Sequence, residues 1–374
     1  MRIVHLADTH LGIRQLHRVD RHGRNIREQD FYAAFNAAID CAIELDPACV
    51  IHAGDLFDSY HPSSAALAVA LDGIKRLVDA RIPLVLIAGN HSTPRVAAAQ
   101  HVFAVLERFD RSGLVHALHS EPQTIRIDGL AVQALPHLND RATLAEAMHA
   151  AEPLVDADFN VAVAHTGFSV IKGVGAGEAG SINLTGEELE AVGTFDYIAL
   201  GHLHKYDRVR ANAVYSGSLE RITWADDAPR KVIVEVDLSI DTFDDDWHRL
   251  HEIPSRAHVR LDDIDAASTG DLTTAMVQAA DGRDDLTDAM VRVRVRNLTL
   301  SAQAALDRRQ VEEAFSHCLH FEIDTQLIGE QDMVAAPRDL REFLAGRVPA
   351  GMDAGDFIAR AERYLGQATQ EIGA

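Results

Sequence analysis

The sequence predicts an α/β fold in which two β-sheets form a sandwich and helices flank them. Apolar runs that are typical of buried strands alternate with amphipathic helical patterns, and several hairpin strands follow. Polar side chains directly follow five of the strand-like runs. In an α/β sheet, side chains at the carboxyl ends of the strands converge in one crevice, so the sequence also predicts where a functional site lies.

Length and composition favour a soluble chain with more than one domain. Its 374 residues suit a large domain with one or two small ones. The hydrophobic fraction is 47%, and no apolar run approaches the roughly 18 residues of a membrane span. A cleavable signal is not expected, because Asp8 and His10 lie where it would be removed. Three sparse cysteines, Cys41, Cys49 and Cys318, indicate a reducing, cytoplasmic compartment.

The charge pattern permits binding of a polyanionic ligand only at a local basic surface. The net charge of −22, from 35 basic and 57 acidic residues, argues against binding such a ligand over the whole surface. Between positions 14 and 27, however, one acid, Asp20, stands among five arginines: Arg14, Arg18, Arg21, Arg24 and Arg27. This arginine loop is either a local binding surface or a solvated loop without a ligand.

The first part of the chain alternates strands with helices. Continuous apolar runs predict the strands, whereas apolar residues at helical spacing predict the helices. In order, we expect a strand from Arg2 to Ala7, a helix from Glu28 to Leu45, a strand from Cys49 to Ala53, a helix that includes Leu67 to Val78, a strand from Ile82 to Ala88 and a helix from about Val96 to Phe109.

The following stretch is richer in strands. Asp128-Gly129 predicts a hairpin, Lys172 to Gly180 is typical of a glycine-rich loop, and Thr185 with Glu188 forms a capping-box pattern that begins a helix. The predicted strands are Thr124 to Ile127, Ala131 to Leu135, Asn160 to Ala164, Tyr197 to Leu200, Val214 to Tyr215 and Lys231 to Leu238.

The composition becomes acidic from Asp241 to Asp246 and apolar periodicity is then lost. This change predicts a boundary near residue 250, so that residues 1–250 form the first domain. Residues 251–328 are typical of a small α+β module. The alternation from Val291 to Arg296 favours a solvated arginine face over a phosphate-binding one. Residues 329–374 show two short helical patterns whose apolar stripes either pack on this chain or bind a partner. Within the module we expect strands at His258 to Leu261 and Met290 to Arg296, and helices around Leu272 to Ala280 and Asp307 to His317.

The polar groups that follow the strand runs are metal-ligand side chains. They are Asp8 and His10, Asp55, Asn90 and His91, His165, and His202 and His204. Two carboxylates, one amide and five imidazoles suit Mn, Fe or Zn better than Mg or Ca, which prefer oxygen ligands. A lone histidine is more often structural, as we expect for His5 and His52 inside strands, but eight positions at strand ends favour one shared site.

Asp55 is central in this set and is the natural carboxylate to bridge two cations. Two ions about 3.5 to 4 Å apart can hold a hydroxide nucleophile and polarise a phosphoryl group. The chemistry that these residues predict is therefore hydrolysis of a phosphate ester.

The order Asp-x-His, Gly-Asp, Gly-Asn-His, His and Gly-His-x-His resembles the calcineurin-like metallophosphoesterase superfamily. Within it, HLADTHLG at 5–12, GDLFD at 54–58, ALGHLHK at 199–205 and YSGSLER at 215–221 are similar to the SbcD-type exonuclease subunit. That subunit is the bacterial and archaeal counterpart of the eukaryotic double-strand-break repair nuclease. The resemblance covers about residues 1–240 and implies the metallophosphoesterase fold, a DNA-binding capping domain at 251–328 and a helical tail.

The resemblance also implies a role for each matching residue. One Mn ion would be held by Asp8, His10, Asp55 and His204, and a second by Asp55, Asn90, His165 and His202. His91 would approach the scissile phosphate and stabilise or protonate the leaving oxygen. Ser92 departs from the family pattern, in which Asp most often follows Gly-Asn-His, and this bears on how His91 is positioned.

The implied reaction is phosphodiester cleavage at DNA ends and hairpins. The implied partners are a second copy of the chain and an SbcC-type coiled-coil ABC ATPase, which would dock on the tail. DNA would contact the arginine loop, with Arg292, Arg294 and Arg296 as a second candidate surface. Two alternatives remain: a metallophosphoesterase for a small cyclic nucleotide or phosphomonoester, and a weakly catalytic scaffold that binds DNA.

Overall fold

The computed structural model describes residues 1–95, 100–170, 181–226, 230–241 and 245–327. The chain divides into two compact units, the first from Met1 to Arg256 and the second beginning at Ala257. A strand at His248–Ile253 belongs to the first unit and runs across position 250, so the first unit ends slightly later than the predicted boundary. None of the described helices combines the length and the apolar character needed to cross a membrane.

The described part of the first unit contains fourteen strands, five α-helices and one 3-10 turn. In chain order these are β1 (Arg2–Leu6), α1 (Ile26–Leu45), β2 (Cys49–His52), α2 (Ser64–Asp79), β3 (Leu84–Ile87), α3 (Phe103–Phe109), β4 (Val115–Leu118), β5 (Gln123–Ile127), β6 (Leu130–Leu135), α4 (Arg141–Ala150), β7 (Phe159–His165), β8 (Gly167–Phe168), β9 (Asn183–Leu184), α5 (Gly186–Ala191), β10 (Tyr197–Gly201), β11 (Asp207–Arg208), β12 (Ala213–Tyr215), β13 (Lys231–Asp237), the turn Asp245–Trp247 and β14 (His248–Ile253).

Twelve of these strands form two mixed, six-stranded sheets. The first has the order β14-β13-β1-β2-β3-β4, in which β1 to β4 are parallel and β13 is antiparallel to β1. The second has the order β11-β12-β10-β7-β6-β5, in which β12, β10, β7 and β6 are parallel. In both sheets the parallel strands provide carboxyl ends on which a site can be built.

The two sheets pack face to face, and helices cover their outer faces. Along β1 the side chains alternate: Ile3 belongs to the core between the sheets, whereas Val4 packs in the cluster under α1 and α2. The outer face of the second sheet is covered by α4 and α5 through Leu144 and Leu189. This four-layer arrangement confirms the predicted two-sheet sandwich with flanking helices.

The second unit is a small α+β module. Its described elements are β15 (His258–Arg260), β16 (Ile264–Asp265), α6 (Leu272–Ala280), the 3-10 turn Asp284–Leu286, β17 (Met290–Leu298), α7 (Leu300–Ala305), α8 (Arg308–Ala314) and β18 (His320–Leu327). The long strand β17 is the centre of the sheet and pairs in parallel with β15, β16 and β18. The predicted alternation holds, because Val291, Val293 and Val295 are buried in the core of this unit.

Several predicted elements differ from the structure or lie outside it. The hairpin at Asp128-Gly129 and the capping box at Thr185 are confirmed. The third helix is shorter than predicted and begins at Phe103, while residues 96–99 lie outside the described part. The glycine-rich stretch 172–180 and the tail 329–374 also lie outside it. Elements that were not predicted from the sequence include β4, α4, β14 and β18.

Candidate metal centre and active site

The predicted ligands lie on loops at the carboxyl ends of parallel strands from both sheets. Three loops belong to the first sheet: Asp8 and His10 follow β1, Asp55 follows β2, and Asn90 and His91 follow β3. The second sheet contributes His165 at the end of β7 and the segment with His202 and His204 after β10. The structure therefore places all eight residues at the same end of the sandwich.

The backbone of these loops is bent into the left-handed region at four of the eight positions. The φ angles are 52° at Asp8, 44° at His10, 52° at Asp55 and 104° at His202. Left-handed φ is uncommon for residues other than glycine, and such conformations cluster at functional sites where the surrounding structure enforces them. Tight turns at strand ends bring these side chains together over a short distance.

Glycines beside the ligands leave room for this close packing. A Cβ at Gly89 would lie 2.2 Å from Oδ1 of Asp55, and a Cβ at Gly54 would lie 2.1 Å from Nδ1 of His165. A Cβ at Gly201 would lie 1.9 Å from the carbonyl oxygen of Ala53. The three glycines that precede Asp55, Asn90 and His202 are thus required because any side chain would enter the site.

Three groups of ligand atoms converge in the site. They are Asp8, His10 and His204; His10, Asp55 and His91; and Asp8, Asp55 and His165. Within each group the ligand atoms lie within 4.8 Å of one another. Asp55 belongs to two of the groups, as do Asp8 and His10, and its side chain is fully buried.

His165 has the geometry of an oriented ligand. Its Nδ1 donates to the carbonyl oxygen of Ala53 at 2.8 Å, which fixes the ring and directs Nε2 into the site. There Nε2 lies 3.1 Å from Oδ2 of Asp55 and 3.1 Å from Oδ1 of Asn90. Donor atoms bound at right angles to one ion at about 2.1 Å lie about 3.0 Å apart, so each of the two oxygens lies at a distance from Nε2 that fits neighbouring ligands of one cation.

His10 supplies a second indication that the cluster fits a cation. The ring is only 1% exposed, and neither nitrogen has a hydrogen-bond partner in the described part of the chain. Its Nδ1 lies 3.4 Å from Oδ1 of Asp58. Leaving a buried polar atom without a hydrogen bond costs about 1 to 3 kcal/mol, so a ring in this position fits a metal ligand better than a core residue.

The charges of the site are strongly coupled. Burial alone would raise the pKa of Asp55, but contact with His165 holds that pKa well below its ordinary value. Burial alone would lower the pKa of His165, but the Asp55 carboxylate raises it to about 9. Burial raises the pKa of Asp8. The buried Asp55 carboxylate therefore favours a positive charge beside it.

His91 lies at the open side of the cluster, with 26% of its side chain exposed. Its main-chain amide donates to Oδ1 of Asp55 at 3.0 Å, and its Nδ1 donates to the carbonyl oxygen of Asp58 at 3.1 Å. Ser92, the departure from the family pattern, is buried and donates to the Phe57 carbonyl at 3.4 Å. The loop that carries Asp55 and Asp58 therefore positions His91.

No role was predicted for Asp58 from the sequence. Its carboxylate lies 3.4 Å from Nδ1 of His10 and 3.8 Å from Nδ1 of His91, so it faces two of the site histidines. Its position within the GDLFD segment was the available signal. His5 and His52 are structural histidines as expected: His5 hydrogen-bonds the Tyr197 hydroxyl at 2.8 Å, and His52 hydrogen-bonds Thr9 at 3.1 Å.

The arginine loop requires one correction. Arg27 was predicted as a DNA contact, but it is 1% exposed and lies at the start of α1. Its guanidinium pairs with Asp30 at 2.8 Å, lies 3.7 Å from Glu220 and donates to the Arg221 carbonyl at 2.6 Å. Arg27 therefore stabilises the fold and cannot contact DNA.

The other arginines of the loop are exposed: Arg14, Arg18, Arg21 and Arg24. Arg14 and Arg24 form ion pairs with Glu28 and Asp20 and still expose more than half of their side chains. In the second unit, Arg292 and Arg294 pair with Glu322 and Asp324 on β18, and Arg296 pairs with Asp263. Those carboxylates neutralise the arginine face of β17, as the solvated-face interpretation expects.

Comparison with protein families identifies the first unit. Residues 1–206, more than half of the chain, match the family model of the calcineurin-like phosphoesterases. The chain belongs to the calcineurin-like phosphoesterase family. This confirms the predicted family and fold class, and the matched region contains every predicted metal ligand from Asp8 to His204. The family is named for phosphoesterases, which agrees with the phosphate-ester chemistry that the ligand side chains predict.

Among calcineurin-like phosphoesterases, the chain is similar to archaeal proteins named DNA double-strand break repair protein Mre11. It is 32% identical over 240 residues to the protein of Saccharolobus solfataricus, which covers 63% of this chain and 57% of that protein. It is 33% identical over 204 residues to the protein of Sulfurisphaera tokodaii, an alignment that covers 54% of this chain and 48% of that protein. It is 32% identical over 232 residues to the protein of Haloferax volcanii, an alignment that covers 61% of this chain and 48% of that protein. The chain thus spans about half the length of these relatives.

Proposed function

We propose that the chain is a two-metal DNA nuclease that hydrolyses phosphodiester bonds at DNA ends during double-strand-break repair. The observation that carries this proposal is the position of Asp55, a buried carboxylate shared by two groups of ligand atoms. The similarity to the Mre11 proteins supports DNA as the substrate. The phosphoesterase family supports the reaction.

We propose Asp55 as the ligand that the two metal sites share. Asp8, His10, Asp55 and His204 would hold one Mn ion, and Asp55, Asn90, His165 and His202 the other. Bound there, the two ions would supply a hydroxide nucleophile and neutralise charge on the phosphate. The mixture of imidazole and carboxylate donors supports Mn, Fe or Zn over Mg.

His91 is the proposed general acid. In the protonated ring, Nδ1 donates to the Asp58 carbonyl, so the Nε2 proton remains available to a leaving oxygen. Its main-chain bond to Asp55 keeps the ring beside the metal ligands. The partly exposed His91 would then lie on a side from which a phosphodiester can approach.

We further propose that DNA lies along the exposed arginines of the loop, Arg14, Arg18, Arg21 and Arg24. As partners we propose a second copy of the chain and an SbcC-type ATPase that docks on residues 329–374, in the family's manner. Residues 251–328 would serve as the capping, DNA-binding domain, although the paired arginines of β17 leave little free positive charge on that face.

Three substrates test the proposal: an end-labelled linear duplex, a covalently closed circle of the same sequence and a small aryl phosphodiester. We expect Mn-dependent shortening of the linear duplex and much slower attack on the circle. Hydrolysis of the small diester with neither DNA cleaved would overturn the DNA assignment and favour a small-substrate phosphoesterase. DNA binding without hydrolysis of any substrate would favour the scaffold alternative.

A further inference from the structure

The loop from Gly217 to Asp226 packs against His204, one of the proposed ligands, and carries a buried carboxylate with no assigned role. Oδ2 of Asp226 lies 3.5 Å from Nδ1 of His204. Both side chains are largely buried, with 8% of the His204 side chain and 9% of the Asp226 side chain exposed. The two residues are 22 positions apart, so this contact depends on the fold of the loop.

The Asp226 carboxylate is itself held in place. Its Oδ2 accepts the main-chain amides of Ile222 at 2.8 Å and Thr223 at 3.0 Å. A fixed anion beside Nδ1 favours a proton on that nitrogen and directs Nε2 to the opposite side, toward Asp8 and His10.

The main chain of His204 is anchored by the same part of the fold. Its carbonyl oxygen accepts the ammonium of Lys231 at 2.8 Å and the amide of Ser218 at 3.1 Å. Lys231 also donates to the Ser218 hydroxyl at 2.9 Å. Gly217 has a φ of 78°, and a Cβ there would lie 3.0 Å from the His204 carbonyl oxygen. The turn at Gly217 therefore packs closely against the main chain of His204.

We propose that Asp226 is a positioning residue that orients His204 for metal binding, while Lys231 fixes the backbone of the same residue. The inference rests on the proposed metal centre and extends it to a carboxylate outside the ligand set. Carboxylates behind histidine ligands set the tautomer and raise the basicity of the ring, and their loss typically costs about 10- to 100-fold in metal affinity.

The test is a Mn titration of the full-length, metal-free protein and its variants, followed by calorimetry or by the Mn EPR signal. We expect two sites in the wild type. Asp226→Asn should weaken one site by about 10- to 100-fold and leave the other unchanged, and Asp226→Glu should recover part of the loss.

Asp110→Asn is the matched control. Oδ2 of Asp110 also accepts two main-chain amides, from Leu114 at 2.9 Å and Val115 at 3.1 Å, but lies in the loop after α3. It should leave both Mn sites unchanged. Wild-type affinity at both sites of Asp226→Asn, or equal weakening of both with a lower melting temperature, would overturn the positioning role. A wild type that binds fewer than two Mn ions would overturn the proposed centre itself.

Discussion

The main-chain amide of His202 donates to both carboxylate oxygens of Asp8 at 3.0 Å. Asp8 follows a strand of the first sheet and His202 follows a strand of the second, so this contact joins the sheets at the site. On the other side, the Asp8 amide donates to the Gly54 carbonyl at 3.0 Å. The ligand geometry therefore depends on how closely the two sheets approach each other.

Gly201→Ala tests this close approach. The added Cβ would lie 1.9 Å from the Ala53 carbonyl oxygen and 2.8 Å from Nδ1 of His165, which are the two atoms of the hydrogen bond that orients His165. We expect a loss of about 2 to 3 kcal/mol in the free energy of unfolding, measured in urea, with weaker Mn binding. Gly270→Ala, where the Cβ meets nothing within 4 Å, is the control. If Gly201→Ala unfolds at the same urea concentration as the wild type, the close contact of Gly201 with Ala53 and His165 is contradicted.

Arg27→Gln distinguishes a structural arginine from a DNA contact. Arg27 is buried between Asp30 and Glu220, so its loss removes the guanidinium beside the buried Glu220 carboxylate, whereas Asp30 keeps its ion pair with Arg256. We expect a loss of about 3 to 5 kcal/mol in the free energy of unfolding. Arg24→Gln removes an exposed pair with Asp20 and should cost less than about 1 kcal/mol. Urea unfolding of both variants measures the difference, and equal stability would contradict the burial of Arg27.

The exposed arginines of the loop are tested by the salt dependence of DNA binding. Replacing Arg18 and Arg21 by Gln removes two exposed positive charges without disturbing Arg27. If both contact phosphates, the slope of log affinity against log salt should decrease in magnitude by about 2. Fluorescence anisotropy with a labelled duplex at several salt concentrations measures it. An unchanged slope would show that Arg18 and Arg21 do not contact DNA phosphates and that the loop is a solvated one.

The buried histidine His5 predicts how stability depends on pH. Burial lowers the pKa of His5 from 6.5 to about 3, so between these values the unfolded state binds a proton that the folded state does not. Folding stability is therefore lost as the pH falls from about 6.5 toward 3, by up to about 1.4 kcal/mol per pH unit for this group.

His5→Gln should remove that part of the pH dependence. Urea unfolding of the metal-free protein at pH 7, 6, 5 and 4 should give a slope that is shallower by about 1.4 kcal/mol per unit in the lower half of the range. His52 has a similarly lowered pKa of about 3 and remains in the variant, so part of the acid sensitivity persists. Identical slopes would mean that His5 titrates normally in the fold.

The sequence predicted the location of the site because that information is local. A residue such as Asp55 directly follows an apolar run, and parallel strands of one sandwich place their carboxyl ends together. The fold class followed from the same alternation of strands and helices. Glycines before Asp55, Asn90 and His202 marked turns that are too crowded for a side chain.

The remaining features depend on partners that are distant in the sequence. Arg27 has the local pattern of a basic loop, and only its pairing with Glu220, 193 positions away, shows that it is buried. Asp226 lies beside His204 because the Gly217 turn folds back on the ligand. The strand at His248–Ile253 has exposed residues on much of its length, so no apolar run predicted it.

The most direct test of the two-metal nuclease is a comparison of the wild type with His91→Asn on an end-labelled linear duplex. Bound Mn is measured on both proteins. We expect the wild type to shorten the duplex only with Mn, and the variant to bind two Mn ions yet cleave at least about 100-fold more slowly, since it lacks the proposed general acid. Equal cleavage rates would contradict the role of His91 as general acid, and shortening by the wild type without metal would contradict the two-metal mechanism.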